Sequence, residues 1–137
     1  MDVDPKAIQY ARSLCRSFSE NGDRLEFESR NVLRFRASKT YDLLWSAGLF
    51  DYFPDRLFII LLRRLITYVK PGGEVVIGNF GDNNPSRAYM ELLGEWYLEH
   101  RSEERLTRLA EEAGVSTDAV KIDREPENVN LFLRIRR

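Results

Sequence analysis

The residues with the types and spacing for chemistry gather in two stretches, SAGLFDYF at 46–53 and NFGDNNPS at 79–86. Neither pairs a nucleophile with a base. The single histidine, His100, has no serine or cysteine motif around it, which argues against triad-type nucleophilic catalysis. The single cysteine, Cys15, shares helical spacing with Ile8, Ala11, Leu14 and Phe18 and reads as a small core residue, not a nucleophile. One cysteine forms no internal disulfide, and no Cys/His cluster suggests a metal site. Asp51 and Asp55 read as a solvated loop acid and an acid in the first turn of a helix, in preference to general bases.

Both stretches belong to one unit at 41–80. The apolar run DLLWS at 42–46 has the length of a buried strand. Residues 47–53 form a loop. Pro54 precedes a helix over 55–69, and Lys70-Pro71-Gly72-Gly73 ends it in a turn. The β-branched, apolar stretch 74–80 is the next strand. Strand, crossover helix and strand predict a right-handed βαβ unit with parallel strands. Ligands of such sheets bind beyond the carboxyl ends of the strands, which is where 46–53 and 79–86 fall.

The flanking segments extend this pattern. Asp4-Pro5 caps a helix that runs to about Phe18 with one apolar face, and Asn21-Gly22 stops it. Residues 25–29 alternate as a strand does. After a polar loop at 81–84, Pro85 opens a helix over 86–100 carrying Tyr89, Met90, Leu93, Trp96 and Tyr97. Ser102 caps a shorter helix with Glu103 and Glu104 in its first turn. Leu106, Leu109, Ala110 and Ala113 are its buried stripe, and Gly114 closes it. Strands at 119–124 and 130–136, joined by a short turn with Pro126, pair antiparallel.

The composition limits the function classes. Net charge is -1, so no basic face draws the chain to nucleic acid. The longest apolar run, 57–62, is far too short for a membrane span, and nothing reads as a signal peptide. A cytoplasmic location is expected. The length suits one domain.

In order and spacing, these motifs resemble the later part of the class I S-adenosylmethionine-dependent methyltransferases. The likeness rests on Asp2-Val3-Asp4-Pro5 as the acidic end of a second strand and 28–33 as the end of a third. It rests further on YDLLWSAGLF at 41–50 as a fourth strand and loop, VKPGG at 69–73 before a fifth, and the hairpin as strands six and seven. The family's sheet order is 3-2-1-4-5-7-6. The implied fold is α/β: a truncated Rossmann-like methyltransferase sheet of parallel strands with an antiparallel C-terminal hairpin. Residues 1–137 would be one partial domain, about strands 3 to 7. The runs SAGLFDY, GNFGDNNPSR at 78–87 and EWYLEHRS at 95–102 are most similar to a bacterial subgroup associated with the methyl ester of a 3-hydroxy fatty acid.

The resemblance implies roles residue by residue. Asp2 would accept hydrogen bonds from the ribose hydroxyls of S-adenosylmethionine, and Val3 would lie beside the adenine. Asn31 stands where the family usually has an aspartate facing the adenine amino group, and its carbonyl still accepts that bond. Val32 would present a backbone N–H to the ring. Ser46 and Ala47 would flank the methionine part. Phe50, Tyr52, Asn79, Asn83, Tyr89, Trp96 and Tyr97 could line the acceptor pocket. Plainer readings stand beside these: Asp2 as a frayed terminus, Asp4 as a cap, Trp96 and Tyr97 as core, and 83–86 as the start of a helix. No catalytic residue and no metal ligand is assigned.

The family's glycine-rich loop after the first strand is absent, and Gly72, Gly73, Gly78 and Gly81 sit at the wrong points to replace it. The expectation is a fragment of a longer protein, in which 25–29 lacks a neighbour and the edge of 41–46 is unpaired. Such a chain would rearrange or pair with a second copy, as a homodimer or by strand exchange. It would bind the cofactor weakly or not at all and be inactive alone, while the parent would methylate a small or fatty-acid-like acceptor such as a carboxylate. The competing expectation is a non-catalytic methyltransferase-like interaction module.

Overall fold

The computed structural model describes residues 1–18 and 25–137. The chain divides into two compact units, Met1–Ser38 and Lys39–Arg137.

In the first unit, α1 spans Pro5–Phe18. Asp4 starts it as expected: its carboxylate accepts the Lys6 N–H at 2.8 Å and its carbonyl accepts the Ile8 N–H at 3.2 Å. Among the described side chains of the apolar stripe Ile8 is buried, and Cys15 is half-buried. The helix stop at Asn21-Gly22 lies outside the described residues. The strand expected at 25–29 reduces to one parallel bridge, Asp2 to Ser29. Asp2 donates its N–H to the Glu28 carbonyl (3.2 Å) and accepts the Arg30 N–H (2.8 Å). This segment therefore has a neighbour after all, the stub at Asp2, and that stub is too short to sustain a ladder.

The second unit is a four-stranded sheet in the order β1-β2-β4-β3, where β1 is Tyr41–Ser46, β2 Val69–Phe80, β3 Val120–Arg124 and β4 Asn130–Arg136. β1 and β2 are parallel, and β4 is antiparallel to both β2 and β3. Between β1 and β2 lies α2, Asp55–Ile66. Thus α2 ends earlier than the expected 55–69, and Lys70–Gly73 is not a turn outside the sheet. It is absorbed into β2 as an irregularity: Tyr41 pairs with Val69, but Leu43 pairs with Glu74. Gly72 takes φ 80, and a Cβ on Gly73 would lie 2.6 Å from the Asp42 carbonyl oxygen, so glycine is required there.

α3, Arg87–Gly94, is much shorter than the expected 86–100. Glu95 adopts a left-handed conformation (φ 47), and the Trp96 N–H returns to the Met90 carbonyl, which closes the helix. α4, Glu103–Glu112, begins at Ser102, whose hydroxyl accepts the Arg105 N–H at 3.2 Å. Gly114 ends it with φ 94.

α2 and α4 pack on each other, on β2 and on the hairpin strands. Their contribution to the core is Phe58, Leu61, Leu62, Leu65, Leu106, Leu109, Ala110 and Ala113. The sheet contributes Val75, Ile77, Leu131, Leu133 and Ile135, which register places on one face. Each fully buried aliphatic or phenyl side chain contributes about 1.5–3 kcal/mol. On the other face, Trp45 lies against Phe132 (5.8 Å between rings), and Arg134 joins Glu74 to Asp123. β1 is less buried than expected: Leu43 and Trp45 are 51% and 60% exposed, because both lie on the face opposite the core of Val75, Ile77, Leu133 and Ile135.

Candidate functional site

The carboxyl ends of β1 and β2 are tied together by a buried polar network. Ser46 closes β1 half-buried, and the chain then turns at Ala47 and Gly48, both exposed, with Gly48 at φ 67. A 3-10 turn follows at Phe50–Tyr52. Phe50 is sealed in the core against Phe58 (4.7 Å) and Phe53 (6.0 Å). Asp51 is not the solvated loop acid expected from sequence. It is 2% exposed, and its carboxylate accepts the Phe80 N–H at 2.7 Å while its carbonyl accepts the Glu99 N–H at 2.7 Å. Burial pushes its carboxyl above the ordinary value, against the pull of the Phe80 N–H and the Arg101 charge.

Arg101 is at the centre of the network and is 0% exposed. Its guanidinium donates to the Phe50 carbonyl (3.2 Å), the Phe53 carbonyl (2.5 Å), Asn79 Oδ1 (2.7 Å) and Asp55 Oδ1 (3.1 Å). It also lies 4.8 Å from the centre of the Phe58 ring. Asn79, equally buried, donates its amide to the Phe80 and Glu99 carbonyls, both at 2.9 Å. Asp55 is indeed a first-turn acid of α2, and it also holds Arg101 and Arg105 together. Burial would raise its carboxyl, but the hydrogen bonds from Arg105 and Arg101 outweigh this and leave it below the ordinary value. Burial lowers the Arg101 guanidinium, and Asp55 counters that.

Beside the network, Asn84 and His100 are buried together, with Asn84 Nδ2 3.1 Å from His100 Nε2. His100 Nδ1 lies 3.2 Å from the Leu98 carbonyl, an acceptor, so the geometry assigns the ring proton to Nδ1. Asn84 Oδ1 accepts the Ser86 N–H at 3.0 Å, a turn that leads into α3, which begins at Arg87 without a side-chain cap.

Above these buried groups stands an aromatic wall. The Trp96 indole N–H donates to the Tyr52 hydroxyl at 2.8 Å, and Phe80 meets the Trp96 ring edge-on at 6.4 Å. Tyr52 and Trp96 are 54% and 45% exposed, so Trp96 is not core, and neither is Tyr97. The structure thus brings Tyr52 and Trp96 together at the strand ends. Phe50 and Asn79 are wholly enclosed behind them. Asn83, Tyr89 and Tyr97 are exposed on the loop before α3, on α3 and after it.

The other four cofactor candidates are in the first unit. Asp2 is exposed; one carboxylate oxygen accepts the Asp4 N–H at 2.9 Å. The other oxygen completes a donor-seeking carboxylate, which suits a vicinal diol. The Ser29 hydroxyl donates to the Val3 carbonyl at 3.2 Å. Asn31 caps the 3-10 turn Val32–Arg34, its Oδ1 accepting the Leu33 N–H at 2.8 Å. That carbonyl retains one lone pair for an amino group.

Sequence reasoning missed the roles of Arg101, Arg105 and Asp51. The available signal was an arginine directly before the Ser102 cap, following the segment 96–100.

The sheet, its parallel pair and its returning hairpin define a Rossmann-like α/β methyltransferase fold, in truncated form. No family model matches the chain, and no curated protein matches it. Among solved structures, a Bordetella parapertussis protein described only as a possible exported protein is 20% identical over 98% of this chain and 51% of that chain, with TM-score 0.81. An O-methyltransferase family protein from Burkholderia thailandensis is 21% identical over 98% of this chain and 42% of that one, with TM-score 0.70. The N-methyltransferase NodS from Bradyrhizobium japonicum WM9, in complex with S-adenosyl-L-homocysteine, is 20% identical over 98% of this chain and 63% of that one, with TM-score 0.63. At these identities the likeness is one of fold. The chain spans 51%, 42% and 63% of the length of these three structures.

Proposed function

We propose that this chain is the later part of a methyltransferase domain that uses S-adenosylmethionine, acting in its parent protein on a small or lipid-like acceptor such as a 3-hydroxy fatty acid carboxylate. The observation that carries this reading is the sheet order β1-β2-β4-β3, with β1 and β2 parallel and an exposed glycine turn directly after β1. The N-methyltransferase complex with S-adenosyl-L-homocysteine supports the cofactor assignment.

In this reading the resemblance gives Asp2, Asn31 and Val32 of the first unit to the ribose and adenine, and Ser46 and Ala47 of the second to the methionine part. When bound, the cofactor supplies a methyl group made electrophilic by its sulfonium. This chain's own residues then orient the acceptor in line and exclude water. Tyr52 and Trp96 are the acceptor-side wall, and Asn83, Tyr89 and Tyr97 extend it. A carboxylate acceptor needs no base, which fits a site whose acids, Asp51 and Asp55, are committed to the polar network.

The test is chemical-shift mapping with S-adenosyl-L-homocysteine at about millimolar concentration, where weak ligands still register. Shifts confined to residues 2–3, 31–32 and 46–48 are expected. Shifts centred on other residues would sink the reading.

A second reading, an interaction module that pairs with a second copy, is favoured by one observation. Among the described residues β1 is a sheet edge, and its Leu43 and Trp45 are exposed.

A further inference from the structure

Arg101 contributes no surface to a ligand, yet it contacts every segment that frames the ends of β1 and β2. Its guanidinium ties the Phe50 and Phe53 carbonyls, which bracket Tyr52, to the Asn79 amide on β2 and to Asp55 at the start of α2. Its own N–H donates to the Phe80 carbonyl at 3.0 Å. The Glu99 N–H and carbonyl bind Asp51 and Asn79, so the strand of chain leading from Trp96 to Arg101 is fixed to the same points. Tyr52 and Trp96 sit at the two ends of these tethers and meet in one hydrogen bond. The planar guanidinium, with five donors in a fixed fork, serves four acceptors here, whereas an ammonium group has only three donors and no fixed plane.

We propose that Arg101 is a positioning residue for the acceptor side of the site: through the Phe50 and Phe53 carbonyls it sets the place of Tyr52 and thereby makes the Tyr52–Trp96 pair. This deepens the methyltransferase reading and rests on it for the meaning of the wall. The tethering itself is independent of any cofactor.

The experiment uses the whole chain without ligand. The indole N–H resonance of Trp96 is followed, and W45F removes the only other indole. Y52F supplies the position of that resonance when the hydroxyl is gone. R101K keeps the charge and loses the fork. We expect R101K to melt cooperatively with β2–β4 amide shifts intact, while its Trp96 indole signal moves to the Y52F position. The amides of Tyr52 and Phe53 should exchange at least about ten-fold faster. An R101K protein that is folded and keeps the wild-type indole shift overturns the proposal. If R101K fails to fold, D55A, which removes one of the guanidinium's anchors, must move the indole signal in the same direction, and no movement overturns the proposal equally. Ligand titration tests the methyltransferase reading separately. A moved indole signal with no ligand binding would leave the tether standing and remove the function assigned to the wall.

Discussion

Asp51 and Asp55 are four residues apart, belong to one network and shift in opposite directions. Asp51 has its carboxyl raised by burial. Folding then favours its protonated form, so its contribution is fully present below the ordinary carboxylate value and is lost as pH rises through the raised one. D51N retains an oxygen acceptor for the Phe80 N–H and carries no charge. Thermal melts should therefore show D51N gaining on wild type as pH rises from about 4 to about 7. Asp55 has its carboxyl lowered by its two arginines. Its contribution is present above the ordinary value and is lost as pH falls through the lowered one. D55N should accordingly be destabilised at neutral pH, with the gap closing below about pH 4. Parallel pH profiles for the two variants would show that the acids do not differ in environment.

At the scale of elements, two local devices set where the strands and helices begin. Within β2, the Gly72–Gly73 irregularity lets the strand start at Val69 and still register Leu43 against Glu74. G73A drives a methyl group into the Asp42 carbonyl, a backbone atom that cannot step aside. A loss of about 1–3 kcal/mol in denaturant unfolding is expected, whereas G114A should cost less because nothing lies within 4 Å of its Cβ position, although its φ of 94 remains unfavourable. The second device is the Ser102 cap. S102A should cost about 1 kcal/mol, with S102G nearer a few tenths. Equal losses for both would show that the hydroxyl bond to Arg105 N–H does not hold the end of α4.

At the scale of the whole chain, the sheet has two edges, β1 and β3. The interaction-module reading expects a concentration-dependent dimer in sedimentation, with L43K and W45K abolishing it; a compact monomer at all concentrations removes that reading. The methyltransferase reading expects no micromolar cofactor binding in calorimetric titration of this chain, and micromolar binding would show that Asp2, Asn31, Ser46 and their neighbours suffice without a glycine-rich loop. Among the described residues, no helix is long and apolar enough to cross a membrane.

Much of this was legible in the residues themselves. The periodicity read as a helix over 55–69, the β-branched run at 74–80, the Ser102 cap and the alternation at 130–136 pointed to the elements and, through the crossover helix, to the parallel pair, although the helix itself stops at Ile66. These signals are local, and local order is what a short window of sequence encodes. Other features needed the assembled sheet. The Lys70–Gly73 segment is an irregularity inside a strand because β1 and β4 flank it. The helix at Arg87 ends at Gly94 because the chain must return to bury Leu98, His100 and Arg101. Asp51 and Arg101 are ionisable side chains that any sequence pattern assigns to solvent. Only the meeting of three distant segments supplies the carbonyls, amides and carboxylates that make their burial tolerable.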